Sequence, residues 1–210
     1  MRDRETGSWW QQVTGRAISG PLAGSVLELM PSDELTFALW KSESPHGLVL
    51  APVAGHEKDY EEGWEKEVAK YPVPVTFPGQ GLADRDVVLG ITAGGHARAF
   101  PLARVRGENP IEDRVGGVPV ALVTGPDGES VRVFRSQWNG TDIELYRDAG
   151  NRDSATQQWG LIDAQGNTWN FAGCATSGPA QGQCLEKINY LKDYWFDWKN
   201  YNPQTTVHSR

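Results

Sequence analysis

Two cysteines and four histidines are all that 210 residues offer of the side chains most used for thiol and metal chemistry. Cys174 and Cys184 do not make a Cys-x-x-Cys pair, and His46, His56, His96 and His208 stand far apart, so no local metal-ligand spacing exists. Neither a Gly-x-Ser-x-Gly elbow nor a phosphate-cradling Gly-x-x-x-x-Gly-Lys-Ser/Thr loop occurs. No window approaches the roughly 20 consecutive apolar residues of a membrane span, and Met1-Arg2-Asp3-Arg4-Glu5 contains no apolar stretch of the signal-peptide kind. Lys and Arg never cluster, and the formal net charge is −7, which argues against nucleic acid and anionic membranes as partners. Composition names no cofactor, no metal and no catalytic residue.

What the chain does have is 24 Gly, 13 Pro and nine Trp. Tight turns joining short strands, with large aromatics supplying buried area, predict a mainly β (α+β) protein. One stretch is written twice, since residues 15–49 align without a gap to residues 173–207 at an offset of 158 with twelve identities. The shared residues include Ser19-Gly20-Pro21 and Ser177-Gly178-Pro179, each followed by a second glycine, and Trp40-Lys41 and Trp198-Lys199. A duplicated module predicts two related lobes of antiparallel strands with one helix after each repeated hairpin. The expected layout is 1–54 as the closing part of a first repeat, 55–82 as a connector, and 83–210 as a complete second repeat.

Each repeated block opens on an aromatic strand, 9–13 and 169–171, reverses at Ser-Gly-Pro, and continues into segments 26–29 and 184–188 that alternate as strands do. Leu191, Tyr194, Trp195 and Trp198 fall at i, i+3, i+4 and i+7, which predicts a helix capped by Asn189 and ended before Pro203. Ser32 and Pro45 bracket its counterpart, in which Phe37 and Trp40 hold the places of Trp195 and Trp198 as core anchors. The charged stretch 56–62 reads as solvated surface, and the turn of helix possible over 66–71 is limited by Gly63 and Pro72. Downstream, strands are expected at 87–91, 96–101, 111–115, 118–123, 130–134, 142–146 and 157–162, forming an antiparallel meander that the second block finishes.

The run Asp3-Arg4-Glu5-Thr6-Gly7-Ser8-x-Trp10, with 15–24, Gly90-Ile91, Arg98-Ala99-Phe100-Pro101-Leu102 and Val115-Gly116-Gly117-Val118-Pro119-Val120, resembles domain-of-unknown-function family 3179 over nearly the whole chain. The resemblance implies a duplicated β-rich protein, often with a secretion or lipoprotein signal, whose activity is unassigned. It also implies an upstream half carrying Cys-Pro-x-Cys-Gly after a strand like 118–124. Here the matching place reads Gly125-Pro126-Asp127-Gly128, without thiols. Met1 falls inside the first module, so a fragment lacking that upstream half is expected.

Cys174 and Cys184 stand symmetrically about Pro179, so a hairpin turning there sets them opposite each other. Cross-strand neighbours approach closely enough for a disulfide; two free buried thiols are the alternative, and a disulfide points to an oxidising compartment. Asp142 and Glu144 form either an acid–base pair or, more simply, the solvent face of a strand. Asn139-Gly140-Thr141 fits a glycosylation acceptor. The resulting expectation is a noncatalytic binding or scaffold half of a larger extracytoplasmic protein, engaging a small molecule or protein through the cleft between lobes near Trp9, Trp10, Arg16, His96 and Arg98. The rival is the supporting half of an enzyme or metal/thiol redox protein whose active cysteines lie upstream. Location outside the cytoplasm is favoured where the native gene supplies an upstream signal.

Overall fold

A computed structural model of the chain describes residues 1–30, 32–56, 63–77, 81–148 and 160–209. Most of the charge run, 57–62, and the first part of the strand expected at 157–162 lie outside the described residues. In chain order the elements are β1 (Trp9–Trp10), β2 (Ala17–Ser19), α1 (Phe37–Glu43), α2 (Trp64–Val68), β3 (Val87–Ala93), β4 (His96–Pro101), α3 (Leu102–Gly107), β5 (Ile111–Val115), β6 (Val118–Thr124), β7 (Val131–Arg135), β8 (Gln137–Trp138), β9 (Thr141–Asp142), β10 (Leu145–Arg147), β11 (Leu161–Asp163), β12 (Thr168–Trp169), β13 (Ala175–Ser177), β14 (Leu191–Tyr194), α4 (Trp195–Tyr201) and β15 (Thr206–Val207). The protein is mainly β, as composition predicts.

Its centre is a stack of layers whose order follows from which way alternate side chains point. Sheet β14-β3-β4-β15 turns Val88 and Ala99 toward Trp195 and Trp198 of α4, and Leu89, Ile91 and Phe100 toward the opposite side. There they meet Val120, Leu122, Val131 and Val133 from sheet β5-β6-β7. The other face of that sheet, Ala121, Val123 and Phe134, packs on Leu145, Leu161 and Trp169 from sheet β10-β11-β12-β13. A strand buried on both faces has no polar alternation, which is why 118–123 reads as a continuous apolar run. The two glycine pairs that turn these hairpins also touch, because a Cβ on Gly94 would lie 2.1 Å from the Gly116 carbonyl oxygen. Only glycine permits that approach with φ of 54° and 55° at the two positions.

Two expectations about the last helix and the sheet need correction. Residues 191–194 form strand β14, paired with β3 from Leu191↔Gly90 to Tyr194↔Val87, and the helix begins only at Trp195. The i, i+3, i+4, i+7 pattern arises because a strand and the following helix both turn apolar side chains to one sheet, not because one helix carries all four. The meander is also not wholly antiparallel, since β15 returns past α4 to pair parallel with β4 through Thr206↔Arg98 and Val207↔Ala99. Helix α3, unforeseen in sequence, buries Leu102 and Val105 against the central core.

The two Ser-Gly-Pro blocks share their hydrogen bonds position by position. Ala17 N–H bonds Ser25 O and Leu27 N–H bonds Gly15 O, while Ala175 bonds Gln183 and Leu185 bonds Gly173 in the same way. The pairs Arg16↔Val26 and Cys174↔Cys184 thus sit at the same non-hydrogen-bonded site, where facing side chains lie closest. In the second block that site holds a disulfide. Neither 26–29 nor 184–188 becomes a regular strand, because each leaves the hairpin after one bridge; 184–188 crosses to β7 through Phe134↔Lys187. The helices Phe37–Glu43 and Trp195–Tyr201 keep the offset of 158, and each ends with its cap N–H on the carbonyl of the shared tryptophan, Trp40 or Trp198.

The likeness extends upstream of the stretch visible in sequence. Asp3 Oδ2 accepts the Trp10 indole N–H at 2.8 Å, and Asp163 Oδ2 accepts that of Trp169 at 2.9 Å. Ser8 Oγ then accepts the Leu22 N–H, and Asn167 Oδ1 the Ala180 N–H. The common signal is Asp, two or three residues, Gly, Ser or Asn, any residue, then Trp; one inserted residue on each side of the tryptophan hides it from a gap-free alignment.

Candidate functional site

The structure divides the five candidate residues between two places. Trp10 turns inward beside Asp3, whose carboxyl is held below the usual range by the indole N–H first and by the Thr6 N–H next. Trp9 and Arg16 are exposed on the same hairpin. His96 lies exposed at the start of β4 with Nδ1 3.0 Å from the Gly94 carbonyl, and Arg98 points from β4 into a polar relay. A cleft of about 690 Å³ does separate the first block, at Gln12, Val13 and Leu29, from the second, at Gly90, Lys187 and Trp198, but none of the five lines it.

The relay starts at Arg98, whose Nε donates to Thr206 Oγ1 at 3.0 Å and whose Nη1 donates to Asp113 Oδ1 at 2.5 Å. The other oxygen of Asp113 meets His208 Nδ1 at 2.7 Å. Parallel pairing of β15 with β4 is what delivers the histidine, through a His208 N–H to Ala99 O bond of 2.8 Å, and its ring stacks on Phe100 with centroids 5.2 Å apart. Burial opposes the charge on Asp113, yet bonds from His208, the Arg114 N–H and Arg98 outweigh it and keep the carboxyl below its ordinary pKa. An ionised carboxylate only accepts, so Nδ1 carries the proton toward it and Nε2 of a neutral His208 is left as an acceptor.

Cavities open on both sides of this relay. One of about 320 Å³ is lined by His96, Arg98, Arg114, Gly116 and Thr206. The other, of about 740 Å³, is lined by Glu108, Glu112, Glu144, Tyr146, Arg147 and His208. Burial pushes the Glu112 carboxyl up to about 7, with Glu144 adding to the rise, against the opposing bonds from Leu145 N–H and the Ser136 hydroxyl. Asp142 and Glu144 do not act as a pair: Asp142 is bridged to Arg114, and Glu144 accepts the Tyr146 hydroxyl. Asn139 and Gly140, with φ of 48° and 74°, form the two-residue turn between β8 and β9, which is reason enough for Asn-Gly there.

Among the described residues no three His, Cys, Asp or Glu side chains gather in a group that could hold a metal ion, and no helix is long and apolar enough to cross a membrane. Sequence reasoning missed Glu112, Asp113 and His208. His208 and Asp113 are 95 residues apart and no local spacing joins them; the one usable signal was Glu-Asp interrupting the apolar ends Ile111 and Val115 of a core strand.

Against known proteins, the family model described as "Protein of unknown function (DUF3179)" matches residues 1–205. No curated protein and no solved structure matches the chain.

Proposed function

The chain belongs to DUF3179, a family of unknown function, and from that premise we propose that it is a noncatalytic scaffold and binding module of a larger, duplicated, extracytoplasmic protein. In this reading 1–54 is the closing part of a first repeat, 55–82 a connector and 83–210 a complete second repeat. One observation carries the proposal: matched positions are covered in the second block and bare in the first. Leu185 is 6% exposed and Leu27 52%; Trp195 is 1% exposed and Phe37 63%. Ala180 and Trp198 are buried, whereas Leu22 is exposed and Trp40 half-buried.

The second block names the chemistry of the missing cover. Trp198 lies on the bare backbone of Gly90 in β3, and Leu185 and Ala180 pack with Ala121, Val123 and Phe134 of β6 and β7. The first block therefore suits a β-unit of the 83–135 kind, with a glycine set against Trp40 and an apolar sheet face against Leu22 and Leu27. Exposed large apolar side chains, where they gather, mark interaction surfaces in soluble proteins. The disulfide Cys174–Cys184 supports an oxidising compartment.

The test is a photo-crosslinking amino acid in place of Phe37, in the protein expressed from its own gene in its native cells, read by peptide mass spectrometry. A product joining position 37 to a glycine-bearing strand that resembles 87–93 is expected. Cross-links confined to segments without such a strand, or none, overturn the proposal.

A further inference from the structure

The 740 Å³ cavity is independent of the docking face and falls within the 300–1,000 Å³ range of small-molecule sites. Its wall joins elements distant in sequence: the end of α3, the start of β5, the β10 segment and the residue after β15. The base of the cavity is polar in one sense. His208, its side chain only 8% exposed, spends Nδ1 on Asp113 and has no hydrogen bond through Nε2 among the described residues. Glu112 gives one oxygen to the Leu145 N–H at 2.9 Å and keeps further acceptor capacity. Glu144 stands at the rim beside the Tyr146 ring.

We propose that this cavity is a binding site for a small molecule bearing an ammonium group, held by the Glu112 and Glu144 carboxylates and by His208 Nε2. An ammonium ion has N–H donors and no acceptor, which suits a cavity lined by Glu108, Glu112 and Glu144. Tyr146 lines the same cavity, an aromatic side chain of the kind that accommodates a cation. Behind the site, bonds from His208, the Arg114 N–H and Arg98 keep Asp113 ionised, and Asp113 orients the imidazole so that a neutral ring presents its Nε2 lone pair. Glu108 is engaged with Arg104 at 3.3 Å, and Arg147 is the one cationic side chain on a wall that carries Glu108, Glu112 and Glu144.

Binding of a cation favours ionised Glu112, whose carboxyl titrates near 7. The groups lining the cavity with it are Glu144, Tyr146 and Arg147 from the β10 segment, Glu108 from the end of α3, and His208 backed by Asp113; burial and the Glu144 charge already penalise ionisation of Glu112, and a bound cation relieves that penalty. The ionised fraction rises about tenfold between pH 6 and pH 8, and affinity rises by about the same factor.

The experiment is a two-dimensional amide NMR titration with 1,5-diaminopentane at pH 6 and pH 8 in moderate salt, with 1,5-pentanediol as the uncharged control. Saturable shifts of the Leu145 and Tyr146 amides are expected with the diamine only, about tenfold tighter at pH 8. Glu112→Gln is expected to weaken binding and abolish the pH dependence, and Glu144→Gln, at an exposed position that does not threaten folding, to weaken it as well. No saturable shift with the diamine, equal shifts with the diol, or binding that neither substitution changes overturns the proposal.

Discussion

Replacing Gly90 by alanine is expected to be harmful for one reason, the Trp198 indole, and that reason can be isolated. A Cβ at position 90 would lie 2.3 Å from the ring, closer than any real contact, while the backbone there is ordinary strand and imposes no strain of its own. Crowding of this kind in a packed core costs about 1–3 kcal/mol. Trp198→Ala removes a buried ring and its 2.9 Å bond to Thr205 Oγ1, for a loss of about 3–5 kcal/mol. In the double variant the collision is gone and the new methyl group partly fills the space, so Gly90→Ala is expected to cost nothing or to stabilise slightly. The coupling is then about 1–3 kcal/mol in the double variant's favour. Urea unfolding followed by far-ultraviolet circular dichroism measures all four corners with a signal that does not depend on Trp198. Costs that add within about 0.5 kcal/mol would refute the contact.

Arg132→Met removes a buried guanidinium that bonds Asp33 and Glu43 twice each, leaving Asp33 with Lys187 alone, and is expected to lose about 3 kcal/mol in urea unfolding. Arg132→Lys is not expected to restore it, because an ammonium cannot reproduce the fork or its seat 4.6 Å from the Phe171 ring centroid. Glu112 binds its proton more tightly folded than unfolded, so its contribution is complete below its ordinary 4.5 and lost as pH rises through about 7. Glu112→Gln is therefore expected to flatten the fall of unfolding free energy with pH across that window. Reduction of Cys174–Cys184 is expected to cost about 2–3 kcal/mol, read as a shift of the urea midpoint, while intact mass with and without reductant and alkylation reports the bond itself.

Turns and strand order in the second block were legible because glycine pairs and Ser-Gly-Pro specify reversals locally, and because β6 is apolar throughout. The start of α4 was not, since an apolar spacing of three and four is satisfied equally by a strand that runs into a helix. Burial in the first block was not legible either. Phe37 and Trp195 occupy matching positions on matching helices, and their exposure differs only through what packs against them, which is a property of the surroundings and not of the repeated residues. The polar relay was invisible for a different reason: Arg98, Asp113 and His208 meet only because β15 returns parallel to β4.

How the first block is held bears on what its bare face is for. In the second block the segment before the helix, Leu191–Tyr194, joins the central sheet through its backbone. The matching residues 33–36 form no strand, and their side chains reach β7, the turn before it and the second block instead: Asp33 to Arg132 and Lys187, Glu34 to Lys192, and Thr36 to Asp127. Thr36 also caps α1, accepting the Leu39 N–H. These contacts are charged and directional, so they fix the position of α1 without covering much apolar surface. Only Leu35 and Leu39 add to the shared core. A helix anchored through polar contacts, with Phe37 left exposed against the Trp40 ring 5.5 Å away, is placed to receive a second apolar layer without giving up its attachment to the first.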